Sequence, residues 1–150
     1  MTRFTLTCAL ALAVVTPVHA QEALPVVDMR LAVMELQAFN IGLLGNMVRG
    51  RTPYDPALAQ AAADNLLRLA QSDWQVYFPS GTSMDEVSES EASPKLWQAW
   101  DDFLAKQSDL GGAAEALSQV AGQDVVAMRG AVMGLSKACS ACHTPYRVQK

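Results

Sequence analysis

The sequence has few of the residues that build catalytic centres. Its 150 residues include three cysteines and two histidines, and no run alternates between apolar and polar residues as a half-buried strand does. It also lacks a cluster of basic residues, and its net charge is −4, so no nucleic-acid partner is expected. No nucleophile has a partnered base in the sequence, and we therefore expect no enzyme.

Residues 1–20 have the anatomy of a secretory signal peptide. A basic start at Arg3 precedes the apolar run Leu6–Val15, and small residues lead up to Ala20. The run is shorter than the ~20 residues that span a bilayer, so stable membrane insertion is not expected. We predict cleavage after Ala20 and export to the periplasm, leaving residues 21–150 as one domain. Without Arg3, its net charge moves from −4 to −5.

The remaining sequence reads as helical throughout. In residues 24–49 apolar residues recur every three or four positions, as on one stripe of a helix. Asp55 with Pro56, and Ser93 with Pro94, are typical helix starts, and Gly50 and Gly122 are typical stops. The four predicted helices cover residues 24–49, 55–72, 93–121 and 124–146, with a weak point at 111–112. We expect these inward-facing residues: Val27, Leu31, Met34, Ala38, Ile41, Gly45, Val48, Leu58, Ala62, Leu66, Leu69, Leu96, Trp100, Phe103, Leu110, Met128, Val132, Leu135, Cys139, Cys142 and Tyr146.

One connection is long. The crossover loop (residues 73–93) is rich in serine and acidic residues, which favours a solvated segment, and its initial aromatic residues should pin it to the core. The other two connections are short. All-α sequences of this kind form an antiparallel four-helix bundle.

The stretch CSACH, residues 139–143, contains both cysteines and the only histidine of residues 21–150. A dithiol redox motif would follow a strand and open a helix, whereas this pair lies near the end of a predicted helix. A structural zinc site needs four ligands, and only three Cys and His side chains are available. Covalent haem fits the spacing best: Cys139 and Cys142 would form thioethers, and His143 would face the iron as proximal ligand.

A haem motif at the end of a helical bundle, with RLAVMELQAFNIGLLGNMVRGRTPYDP early and SPKLW in the middle, resembles the class II c-type cytochromes. This is the cytochrome c prime family with its low-spin His/Met relatives, and the resemblance covers residues 22–150. It implies one covalently bound haem c per chain. It also implies a proximal role for Arg147. Arg30 matches an arginine that often lies near a haem propionate, although a solvated helix face is an equal interpretation. Pro145 departs from the family and should loosen the last helical turn.

The sixth coordination position stays open at this stage. The resemblance puts Met34 opposite His143. As a ligand it would make the protein a one-electron carrier with a redox partner protein. The acidic residues of the crossover loop could then attract a partner with a basic surface. As a lid over a five-coordinate iron, Met34 would leave a module that binds NO or CO. The family also allows a homodimer through the first two helices.

Overall fold

The computed structural model describes residues 19–148, and these form a bundle of helices. The helices are α1 (His19–Val48), α2 (Pro56–Ala70), α3 (Lys95–Gln98), α4 (Trp100–Val120) and α5 (Val125–Tyr146), with a 3₁₀ turn at Trp74–Tyr77. The predicted all-α four-helix bundle is confirmed, its four long members being α1, α2, α4 and α5. Residues 1–18 of the predicted signal peptide lie outside the described residues, so cleavage after Ala20 stays a prediction.

Helix α2 begins at the predicted capping residue Asp55, and α5 begins at Asp124, where the fourth helix was predicted to start. The Asp55 carboxylate accepts a hydrogen bond from the Leu58 amide (3.0 Å), and Asp124 accepts the amides of Val126 and Ala127 (2.7 and 2.9 Å). Each cap satisfies amides that have no partner within the helix. Gly50, with φ +67°, adopts the left-handed conformation that follows the end of α1.

The third predicted helix is wrong in one respect, because it is two helices. At Ala99 the backbone leaves the helical region (φ −124°, ψ 47°), which separates the single turn of α3 from the 21 residues of α4. The Trp97 indole of α3 donates to the carbonyl of Phe78 in the crossover loop (3.0 Å). This bond ties α3 to a segment 19 residues away, a constraint that helical periodicity does not encode. The weak point predicted at Gly111 and Gly112 does not interrupt α4.

The inward face of α2 differs from the prediction at Leu58, which is 43% exposed. The buried residues are instead mostly alanines: Ala59, Ala62, Ala63, Leu66 and Ala70. Small side chains let α2 lie close to both α1 and α4. Leu58 lies one residue before Ala59 and therefore at the edge of this alanine face.

Helix α1 has two inward-facing strips. One packs into the core through Val33, Leu44 and Met47. The predicted stripe lies beside it, and its central residues Leu31, Met34, Ala38 and Ile41 line a cavity. The apolar stripe of α1 is therefore confirmed as inward-facing, but it faces a space large enough for a ligand.

Aromatic rings fill one end of the bundle. Phe103 of α4 lies 4.8 Å from Phe78, 5.2 Å from Trp100 and 6.2 Å from Tyr146, measured between ring centroids. Trp74 stacks on Phe78 at 6.2 Å. The predicted anchoring of the crossover loop by its first aromatic residues is confirmed, since Trp74 and Phe78 are buried.

Two helices are also long and apolar enough to cross a membrane, by length and composition alone. These are the segment Pro25–Val48 of α1 and the whole of α5, with mean hydropathies of 1.3 and 1.2. Core helices of soluble bundles have the same composition. In this fold part of the apolar surface of both helices faces the core and the cavity, and part of it, including Phe39 of α1 and Met133 of α5, is exposed.

Candidate cofactor site

A cavity of about 560 Å³ lies between α1, the crossover loop, α4 and α5. This volume falls within the ~300–1,000 Å³ typical of cofactor sites. Most of its lining is apolar and comes from the core, including Leu66, Trp74, Leu96, Phe103 and Leu135. Such a site can hold a flat apolar group away from water.

Helix α5 brings the predicted motif to one wall of this cavity. Cys139, Cys142 and His143 all line it and are half-buried. Because both cysteines lie on the inward stripe with Leu135 and Tyr146, the thiols are one helical turn apart on the same face. The structure therefore brings together the three residues that the sequence predicted to hold the haem.

The environment of the thiols differs from that of a redox-active dithiol. Burial raises the pKa of Cys139, and it raises the pKa of Cys142 to about 11. Reactive cysteines in dithiol oxidoreductases have lowered pKa values at helix N-termini, whereas this pair lies near the end of α5. Among the side chains that the structure describes, residues 25–148, no three of the types His, Cys, Asp or Glu converge as a metal site. Covalent haem attachment remains the chemistry that these residues fit.

Helix α1 supplies Met34 to the lining of the cavity. This methionine is half-buried and lines the same cavity as His143. Among the methionines of residues 25–148 it is the one that lines this cavity: Met47 and Met128 are buried in the core, Met29 and Met133 are more than half exposed, and Met84 lies in the crossover loop away from the cavity. The role of Met34 as a ligand of the iron stays a prediction.

Arg30 is buried, so its alternative interpretation as a solvated helix residue is wrong. Its Nη1 donates to the Tyr77 carbonyl and Thr82 Oγ1 (both 3.3 Å), and its Nη2 donates to the Thr82 carbonyl (3.1 Å) and Ser90 Oγ (2.8 Å). The guanidinium also lies 4.8 Å from the centre of the Phe78 ring. Burial lowers the Arg30 pKa to about 10. Arg30 lines the cavity while it holds the crossover loop against α1.

The crossover loop is less solvated than its composition predicts. Thr82, Ser83 and Ser90 are buried, and Ser90 Oγ donates to the Thr82 carbonyl (2.9 Å) while it accepts the Ala92 amide (3.1 Å). Three acidic residues of the loop do lie outward: Asp85, Glu86 and Glu89 are exposed. Thr82 and Ser90 carried no local signal of burial, because their partner Arg30 lies on a distant helix.

Arg147 lines the cavity beside the motif and forms an ion pair that the sequence did not reveal. Its Nε donates to Glu91 Oε2 of the crossover loop at 2.7 Å. Main-chain bonds flank this pair: Ser93 N–H donates to the Tyr146 carbonyl (2.8 Å) and Val148 N–H to the Glu91 carbonyl (2.9 Å). Glu91 also lines the cavity. The loop is therefore joined to the chain directly after the motif.

The imidazole of His143 has a lowered pKa. Burial is the main cause and the positive charge of Arg147 adds to it, while the negative charge of Glu91 opposes it. A neutral imidazole is the form that ligates a metal. The predicted loosening at Pro145 does not end the helix, since α5 continues to Tyr146 and the Arg147 amide donates to the His143 carbonyl (3.0 Å).

These features define a class of protein: an all-helical bundle whose last helix carries a covalent haem motif facing an apolar cavity. A family profile described as Cytochrome C′ matches residues 25–147. The chain belongs to this family, whose members carry one covalently bound haem c per chain and are periplasmic.

Known relatives agree with this assignment. The chain is 39% identical over 137 residues to cytochrome c-554 of Cereibacter sphaeroides, covering 89% of this chain and 90% of the relative. It is 34% identical to cytochrome c′ of the same organism, covering 87% and 88%. Among solved structures, cytochrome c′ from Rhodobacter Spheriodes superposes with a TM-score of 0.83 at 34% identity, covering 85% of this chain and 98% of that one. A carbon monoxide-bound variant of cytochrome c prime from Alcaligenes xylosoxidans superposes at 0.74 with 28% identity, covering 85% and 97%.

Proposed function

We propose that the protein is a periplasmic one-electron carrier. Its haem is attached through Cys139 and Cys142, with His143 as proximal ligand and Met34 as sixth ligand. The observation that carries the proposal is the placement of Met34, on α1, in the same cavity as the motif on α5. A thioether ligand opposite a histidine raises the reduction potential of haem and favours electron transfer.

The bound haem would supply the redox chemistry, and the chain would supply its surroundings. The apolar walls from Leu66, Phe103 and Leu135 exclude water, which keeps reorganisation on electron transfer small. Trp74 and Phe78 close the side of the cavity next to the crossover loop. The exposed acidic residues of that loop offer a surface for a basic redox partner, whose encounter would be faster at low salt.

A five-coordinate module that binds NO or CO is the alternative. Two observations favour it. The chain is similar to the carbon monoxide-bound cytochrome c prime variant, and the flexible side chain of a methionine can cover a site without ligating the metal. In this alternative Met34 would only restrict the space above the iron. Both functions use the same haem, the same cysteines and the same proximal histidine.

Two further assignments accompany the proposal. The cleavage after Ala20 follows from the anatomy of residues 1–20. A homodimer through the first two helices stays a prediction, and it would cover the apolar side chains Leu36 and Phe39 that α1 exposes by 51% and 65%.

The experiment compares the wild type, Met34→Ala and the control Met133→Ala, which removes a 67% exposed methionine from α5. Absorption spectra of the oxidised and reduced proteins are recorded with and without carbon monoxide, together with the reduction potential. If Met34 ligates the iron, the wild type should be low-spin and its spectrum should not change with carbon monoxide. Met34→Ala should bind carbon monoxide and should have a lower reduction potential than the wild type. If Met34→Ala has the same spectrum as the wild type, the ligand assignment fails. A high-spin wild type that binds the gas would support the alternative.

A further inference from the structure

The ion pair between Glu91 and Arg147 lies where the crossover loop meets the chain just after the haem motif. Both side chains line the cavity, and the two atoms Arg147 Nε and Glu91 Oε2 are 2.7 Å apart. Glu91 comes from a segment 56 residues earlier in the sequence. The pair therefore joins two parts of the chain at the side of the cavity that carries His143.

The stability that such a pair provides does not explain its position. The Arg147 side chain is 49% exposed and that of Glu91 31% exposed, and ion pairs open to water contribute little to folding. The main-chain bonds of Ser93 and Val148 already join the same two segments. What the pair adds to these bonds is a fixed arrangement of two opposite charges beside His143.

Both charges lie beside the proximal imidazole. The Arg147 amide donates to the His143 carbonyl at 3.0 Å, and Arg147 and Glu91 line the cavity together with His143. An isolated cation at this place would favour the reduced state of a haem held by His143, because reduction lowers the positive charge of the iron by one. An isolated anion would favour the oxidised state.

We propose that Glu91 is a positioning residue of the proximal side, which holds Arg147 against the cavity wall and cancels its charge there. The inference rests on the proposed role of His143 as proximal ligand. Its consequence is that the two charges balance each other in their effect on the reduction potential. Arg147 without Glu91 would raise the potential, and Glu91 without Arg147 would lower it.

The test is a double-mutant cycle read out by the reduction potential, measured by spectroelectrochemistry of the holoprotein at fixed pH and low salt. We expect Glu91→Gln to shift the potential upward and Arg147→Gln to shift it downward. The double variant should return close to the wild type. The upward shift should shrink in high salt, because the pair is partly open to solvent. The control is Asp85→Asn, which removes the same charge from an exposed position of the same loop that does not line the cavity.

The signs of the shifts in reduction potential distinguish an electrostatic effect from a structural change. A loosened loop would move both single variants in one direction and the double variant further, and this result would overturn the proposal. So would an Asp85→Asn shift equal to that of Glu91→Gln. Thermal unfolding of each variant monitors the fold. A wild-type spectrum without histidine ligation would overturn the proposed function and this inference together, whereas a normal His-ligated spectrum with same-sign shifts would overturn the inference alone.

Discussion

Arg30 offers the sharpest test of how the crossover loop is held. The substitution Arg30→Met keeps a side chain of similar length over Phe78 and removes all four hydrogen bonds to Tyr77, Thr82 and Ser90. The carbonyls of Tyr77 and Thr82 then lose a charged donor on the side of the cavity. Among the side chains of residues 25–148, no carboxylate forms an ion pair with Arg30, so neutral acceptors and the Phe78 ring hold its charge there.

The magnitude follows from two opposing contributions. Hydrogen bonds from a charged group contribute about 1.5–3 kcal/mol each, and burying a guanidinium without a counter-charge costs several kcal/mol. The net loss on Arg30→Met should therefore be about 2–4 kcal/mol, a large part of the ~5–15 kcal/mol of a typical domain. Arg30→Lys keeps the charge but cannot reach acceptors on both sides as the planar fork does, so we expect an intermediate loss.

The assay is denaturant unfolding of the holoprotein, followed by tryptophan fluorescence, because Trp74 stacks on Phe78 next to Arg30. Arg68→Met is the matched control: Arg68 is exposed on α2 and donates to Asn65 on the same helix (3.1 Å), so its loss should stay within about 0.5 kcal/mol. Equal losses for Arg30→Met and Arg68→Met would refute the assignment of Arg30 as the anchor of the loop.

Two further predictions concern α5. Burial and the hydrogen bond to Asp102 raise the Tyr146 pKa from 10.0 to about 12; between these values the folded chain keeps a proton that the unfolded chain releases, so stability falls as the pH rises. The urea midpoint of the wild type should therefore fall as the pH rises across this range, and the fall should be smaller in Tyr146→Phe. An equal fall in both proteins would contradict the assignment. Cys142→Ala should retain haem through a single thioether, which shifts the reduced absorption band in alkaline pyridine to the red. The double variant Cys139→Ala/Cys142→Ala should release its haem on acid extraction. Haem retained by the double variant would contradict attachment at this pair.

The sequence could predict whatever depends on local spacing. Cys139, Cys142 and His143 belong to a five-residue motif, and the apolar period of α5 put them on its inward stripe. Met34 could be placed on the cavity side of α1 for the same reason. These predictions concern single helices, whose periodicity is written in consecutive residues.

What the sequence could not predict depends on contacts between distant segments. Arg30 could be core or surface until Thr82 and Ser90 were seen around it, more than 50 residues away. Glu91 belonged to an acidic run that suggests solvent, and its pairing with Arg147 needs the loop to return to the last helix. The break at Ala99 likewise arises where Trp97 reaches Phe78, so tertiary contact overrode a continuous helical pattern.

The bridge between Ala92 and Arg147 has a consequence for the order of folding. The residues that accept hydrogen bonds from Arg30 are Tyr77, Thr82 and Ser90, and all lie before α4 and α5 in the sequence. The loop can therefore settle on α1 before those helices pack. The other attachment, to residues 147 and 148, requires α5 to be in place. A partly folded chain would therefore carry the loop fixed at one side and open at the other, and the wall that bears His143 would be the last to close.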